Sequence, residues 1–293
     1  MHADEVATDA ALVRRLLAAQ FPDWVTLPIE RVRSAGTDHA IYRLGDELAA
    51  RLPRIDRVRE QVHKEHEWLP RLARHLPLAV PVPLAKGEPG EGYPWHWSVC
   101  RWLEGENATH KRLTDLGHAA IALAEFVAAL QRIDPTGGPA PGVHNFFRGV
   151  PLALRDERTR EAIEALHGVV DTRAATAAWE AALAAPAWRG APVWIHGDLS
   201  AGNLLAVRGR LSAVIDFGGL AVGDPACDLI AAWSLFSGRA RDVFRAALAV
   251  DDATWARGRG WALSVSLIAL PYYRNTNPAI VAEATRTIDE VLT

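Results

Sequence analysis

Apolar residues change their spacing along this chain, and the changes mark its elements. Leu12, Val13, Leu16 and Leu17 recur every three to four positions behind Thr8 and Asp9, the pattern of one helix face with its cap, and the pattern breaks before Pro22. Residues 29–34 and 40–44 then read as strands flanking Ala35-Gly36-Thr37-Asp38-His39, and the Gly45-Asp46 turn leads into a third strand over 47–52. Helical spacing returns over 57–75, where Val58, Val62, Trp68, Leu69 and Leu72 form one apolar face. Prolines interrupt 76–83, and 93–100 reads as a further strand.

Beyond residue 101 the pattern is mostly helical. A strongly apolar helix over 116–130 starts from Thr114, an open Pro/Gly loop covers 134–142, and helical spacing recurs over 154–166 and 172–183. The run Pro192-Val193-Trp194-Ile195 reads as a strand, and a hairpin turns at Arg208-Gly209-Arg210. Helices are expected over 242–248, 255–270 and 279–292. An antiparallel sheet followed by a helical region predicts an α+β fold, divided into 1–101 and 102–293.

Composition narrows the function classes. With 293 residues, 49% of them hydrophobic, the chain can bury a full core. Net charge is −3 with no long run of one sign, which argues against nucleic acid as partner. The entire excess lies after residue 101, a weak pointer to a cationic ligand. Cys100 and Cys227 are too few for a disulfide framework, Asp4 and Glu5 stand where a signal peptide would be basic, and the apolar run 261–273 is too short to span a bilayer. A cytoplasmic protein without membrane contact, monomeric or weakly dimeric, is the expectation.

The chemistry concentrates between residues 192 and 218. Asp198 ends the strand, Asn203 follows five positions later in the loop, and Asp216 closes Ile215-Asp216-Phe217-Gly218 at the end of the hairpin. That spacing brings two carboxylates and an amide to one mouth, a set suited to a phosphate held by Mg²⁺. His196-Gly197-Asp198, the asparagine and the Ile-Asp-Phe-Gly run together resemble the aminoglycoside phosphotransferase family of the protein-kinase-like superfamily.

The resemblance, which covers about residues 30–275, implies a two-lobed fold and an ATP-dependent transfer of phosphate to a hydroxyl of a small molecule, with GTP as an alternative donor. It casts Asp198 as the base and Asn203 and Asp216 as Mg²⁺ ligands. The turn over the first hairpin would cover the nucleotide phosphates, involving Ser34, Gly36 and Thr37. Arg51 stands where the superfamily has a phosphate-binding lysine, with Glu65 as its helix partner in preference to Glu60 or Glu67. Backbone groups around Val99, Cys100 and Trp102 would meet the adenine. Only eight positions separate Asp216 from Asp224, too few for a peptide-binding segment, so a compact acceptor of aminoglycoside type is expected. Asn145, Phe147, Arg148 and Asp156 are its candidate contacts. Asp224, Asp228 and His196 are expected to brace the loop. A kinase of choline, homoserine or a sugar, or a nucleotide-binding pseudoenzyme, are the alternatives.

Overall fold

The structure, a computed structural model, describes residues 5–32, 36, 38–109 and 111–293. Asp9 caps the first helix, α1 (Ala10–Gln20), by accepting the Leu12 N–H at 2.7 Å, and the helix buries Leu12, Val13, Leu16 and Leu17. That face packs on a five-stranded antiparallel sheet of β1 (Ile29–Arg31), β2 (His39–Leu44), β3 (Leu48–Pro53), β4 (Pro83–Gly87) and β5 (Trp97–Arg101), in the order β1-β2-β3-β5-β4. Tyr42, Leu44, Leu52, Trp97 and Val99 complete this smaller core.

Two strands depart from the sequence expectation. The one expected over 93–100 begins only at Trp97, because Tyr93 lies in a turn and donates its hydroxyl to Pro53 O at 2.7 Å. The unforeseen β4 starts on a proline and occupies the sheet edge, where a missing N–H costs no ladder bond. Its Gly87 is required by Trp97, whose ring would lie 2.1 Å from any Cβ there.

The helix expected over 57–75 is shorter: α2 (Gln61–Leu72), flanked by 3₁₀ turns at Asp56–Val58 and Ala73–His75. Pro70, which has no N–H to give, sits in its last turn. Its inner side buries Gln61, Lys64 and Glu65 as well as the apolar face, and Trp68, Leu69 and Leu72 join the larger core beyond the sheet.

That larger core is mainly helical. Strand β6 (Glu106–Asn107) precedes α3 (Leu116–Arg132), whose cap is Asp115 rather than Thr114; Thr114 Oγ1 instead donates to Gly209 O at 3.2 Å. Next come α4 (Asp156–Ala165), α5 (Thr172–Ala184), β7 (Val193–Ile195), the hairpin β8 (Leu204–Val207) with β9 (Arg210–Val214), and β10 (Ala221–Gly223). Positive φ at Arg208 and Gly209 gives the hairpin a tight turn whose twist suits its strands. Short α6 (Ala231–Ser234), α7 (Gly238–Leu248), α8 (Asp252–Tyr273) and α9 (Pro278–Leu292) close the chain, with α8 packing along α9. β6 joins β8 and β9 in one small sheet, and β7 pairs with β10 in another. The hairpin and the chain entering β4 are bonded through Ala79 N–H to Ser212 O at 3.1 Å and Val214 N–H to Ala79 O at 2.9 Å. Among the described residues no helix is long and apolar enough to cross a membrane.

Candidate active site

Strand β7 delivers His196-Gly197-Asp198 to the mouth, and buried groups hold the loop from behind. Asp228 accepts the His196 and Gly197 N–H groups at 2.8 and 2.7 Å. Burial pushes its carboxyl up to about 7, against the pull of those two donors toward the charged form. His196 is wholly buried; its Nδ1 accepts the Asp198 N–H at 3.2 Å and its Nε2 faces Ile215 O at 3.1 Å, while burial lowers its pKa. This imidazole is a neutral brace. Gly197 has φ +83°, and a Cβ there would stand 2.5 Å from Gly219 O, so the loop needs glycine.

Asp198 and Asn203 come together directly. Asn203 Nδ2 donates to Asp198 O at 2.9 Å and to Asp198 Oδ2 at 2.8 Å. Its backbone carbonyl accepts the Ile215 N–H at 2.9 Å, tying it to the residue before Asp216. Asp216 has the left-handed φ of 63° and accepts the Gly218 N–H at 3.3 Å. With Nδ2 engaged on Asp198, Asn203 has its Oδ1 as the side-chain oxygen it can offer a cation, and Asp216 has its carboxylate. Among the described residues no three His, Cys, Asp or Glu side chains could hold a metal by themselves. Two hard oxygens fit a cation that completes its shell with phosphate and water, as Mg²⁺ does.

On the sheet side, Arg51 Nη1 lies 2.6 Å and Nη2 3.4 Å from the two Glu65 oxygens, with both side chains buried. Burial works against the charged guanidinium, but the Glu65 carboxylate, helped by Asp216, holds its pKa above the ordinary value. Burial, reinforced by Arg51, drives His39 down to about 3, so this neighbouring side chain is uncharged.

The remaining predicted nucleotide residues are placed less directly. Ser34 and Thr37 lie outside the described residues, and Gly36 is exposed. Val99 and Cys100 lie within β5, which has β3 on one edge and β4 on the other, so their backbone groups belong to the sheet. Trp102, the first residue past β5, donates its N–H to Glu47 O at 2.7 Å, and Arg43 stacks 4.9 Å over its ring. Strand pairing thus engages backbone at Val99 and Cys100, and the Trp102 N–H is held by Glu47 O.

Of the candidate acceptor contacts, Asp156 accepts from Arg160 at 2.8 Å and Trp179 at 2.7 Å and joins helices. Asn145 is wholly buried; its Oδ1 accepts the Gly142 N–H at 2.9 Å and its Nδ2 donates to Arg148 O at 2.8 Å and Gly219 O at 3.2 Å. It clamps backbone. Arg148, by contrast, reaches the catalytic loop, with Nη2 3.6 Å from Asp198 Oδ1. Asp224 caps the following turn by accepting the Ala226 N–H at 3.0 Å and pairs with buried Arg257 at 2.8 Å.

Two side chains at the site escaped the sequence reading. Lys64 donates to Gly218 O at 2.7 Å and Leu220 O at 3.1 Å, bolting α2 to the segment after Asp216; burial lowers its pKa to about 8. Its place beside Glu65 was the only signal. Glu283, on α9, accepts the Ala201 N–H at 3.2 Å, and burial followed by the Asp198 charge pushes its carboxyl up to about 7. Nothing local marks a residue that arrives from 82 positions away.

Residues 30–261 match the model of a family described as "Phosphotransferase enzyme family". Among solved structures, the GDP and kanamycin complex of APH(2")-IIia shares 20% identity at a TM-score of 0.73, covering 95% of this chain and 97% of that one. The GDP complex of wild-type aminoglycoside 2'-phosphotransferase-IIIa shares 19% at a TM-score of 0.76, over 97% and 99% of the two chains. The macrolide 2'-phosphotransferase MphH from Brachybacterium faecium, without ligand, shares 23% at 0.60, over 96% and 98%. No curated protein matches the sequence.

Proposed function

Because this chain belongs to the phosphotransferase enzyme family, we propose that it moves the γ-phosphoryl group of Mg²⁺-bound ATP or GTP onto a hydroxyl of an aminoglycoside-type acceptor. The observation that carries the reading is the 2.8 Å bond of Asn203 Nδ2 to Asp198 and the 2.9 Å bond of Ile215 N–H, the residue before Asp216, to Asn203 O, with the Arg51–Glu65 pair fixed on the sheet side. Asp198 takes the acceptor's proton and aims its oxygen, a role for a positioned carboxylate. Mg²⁺ held by Asn203 and Asp216 would neutralise charge on the nucleotide phosphates. Arg51 offers those phosphates a guanidinium that Glu65 keeps in register. Support for either nucleotide, and for an aminoglycoside, comes from similar structures that hold GDP with kanamycin, ADP, or ATP with streptomycin.

A macrolide-type acceptor is the second reading. Phe147 is an apolar side chain 48% exposed in the same loop as Arg148, which reaches Asp198, and macrolide 2'-phosphotransferases share the fold. Release of ADP or GDP by purified protein over aminoglycosides, macrolides and small polyols separates the acceptors. An aminoglycoside is expected to raise release well above the no-acceptor rate. Release with macrolides or polyols alone overturns that acceptor, and absence of Mg²⁺-dependent turnover with every compound overturns the enzyme reading in favour of a nucleotide-binding module.

A further inference from the structure

The loop Asn145-Phe146-Phe147-Arg148-Gly149 is built at a cost that packing alone does not explain. Phe146 and Phe147 both have φ of +57°, a region that bulky side chains rarely adopt and that costs on the order of 1–3 kcal/mol at each. Two buried groups hold it there: Asn145 clamps the Arg148 and Gly219 carbonyls, and Arg155 Nη1 donates to Phe146 O at 3.4 Å. The loop's effect is to place the Arg148 guanidinium next to Asp198.

That guanidinium is incompletely satisfied. Its contact with Asp198 is 3.6 Å, longer than the roughly 2.7–2.9 Å of a charge-assisted bond, and its Nη1 is buried without a hydrogen-bond partner among the described residues. A buried donor left unmade costs stability, so a ligand that fills it is favoured. The ligand such a fork accepts is an oxyanion, in preference to the ammonium of a cationic acceptor.

We propose that Arg148 is a further catalytic residue, whose guanidinium leans on Asp198 in the free protein and binds the phosphoryl group in transfer. This inference rests on the phosphotransferase reading. Geometry supports it: an acceptor hydroxyl within about 2.6–3.2 Å of Asp198 and about 3–3.5 Å from the γ-phosphorus puts the phosphoryl oxygens within a guanidinium's reach of that carboxylate. As the acceptor oxygen bonds to phosphorus, the bond to the bridging β–γ oxygen breaks and the nucleoside diphosphate leaves. Asp198 takes the hydroxyl proton. Arg148 exchanges none; it stabilises the charge spread over the three phosphoryl oxygens, as a cis arginine can.

The test compares calorimetric binding of ADP with Mg²⁺, alone and with aluminium fluoride, a planar stand-in for the group in transfer. The parent is expected to bind ADP at least about tenfold more tightly with aluminium fluoride, and Arg148→Ala to lose that gain while keeping Mg²⁺-ADP affinity within about threefold. Millimolar guanidinium chloride should restore the gain in the variant where equal sodium chloride does not, a result that a merely structural arginine would not produce. If Arg148→Ala does not fold, Arg148→Met keeps the stem without the charge and is read in its place. A gain that survives removal of the guanidinium, or is absent from a parent that binds Mg²⁺-ADP, overturns the inference alone. A parent that binds no ADP overturns the nucleotide reading together with it.

Discussion

The site holds two arginine–carboxylate pairs of opposite construction. Arg51 and Glu65 are both buried and meet through two bonds, the shorter 2.6 Å, between a central strand and the helix beside it. Arg148 and Asp198 meet once, at 3.6 Å, between two loops, and the Asp198 side chain is 39% exposed. A closed, dry pair fixes a charge in space, since opening it would strand ions in low dielectric. A long, half-wet pair contributes little stability and can change partners when a ligand arrives. Arg257 and Asp224, 4% and 5% exposed and bonded at 2.8 and 3.2 Å, mark the fully structural extreme.

The contrast can be broken in four places. Removing a partner from the most closed pair should cost most: Arg257→Leu is expected to lose about 3–5 kcal/mol of stability in urea denaturation, and a loss under about 1 kcal/mol would show that burial does not make this pair structural. Asp198→Asn sits at the open end, so it should leave stability within about 1 kcal/mol and Mg²⁺-nucleotide affinity within about threefold while turnover drops about 10²-fold or more. Retained turnover would remove Asp198 from the chemistry. For the intermediate pair, Arg51→Ala and Glu65→Ala should each weaken nucleotide binding, and a double-mutant cycle should show about 0.5–3 kcal/mol of coupling. Additive losses would mean that Glu65 does not hold Arg51 for the nucleotide.

The smallest effect belongs to Glu283, a carboxyl near Asp198 without an arginine as its chief partner. Its pKa rises from 4.5 to about 7, so between those values the folded protein holds a proton that the unfolded chain has released. Its contribution is therefore fully present below pH 4.5 and is lost as pH rises through 7. Glu283→Gln should flatten this fall by about 1 kcal/mol or more, seen as the difference between urea midpoints at pH 4.5 and 7.5. An unchanged pH slope would place the titration elsewhere.

Elements with a strong local period were legible in the sequence: α1, α3, α5, α9 and the β8–β9 hairpin lie where apolar spacing and turn residues put them. Elements made by their neighbours were not. β4 exists because an edge tolerates Pro83, β6 and β10 because partner strands complete them, and Tyr93 left its expected strand for a bond to Pro53 O. The site divides in the same way. Asp198, Asn203 and Asp216 stand close in sequence, so a loop and a hairpin suffice to gather them. The backbone groups of Val99, Cys100 and Trp102 could be judged only once their strand and loop bonds were seen.

By itself, then, the sequence determined the α+β class and the motif residues, because each depends on short-range spacing, and those motifs carry the resemblance that implied the family and its two lobes. Tertiary structure decided what surrounds them. It turned Asn145 into a backbone clamp, bolted Lys64 across to Gly218 and Leu220, brought Glu283 from the last helix to Ala201, and set Arg148 against Asp198. Those contacts join positions 50 to 156 residues apart, and no local propensity encodes them; they arise when two cores pack and buried polar groups find partners.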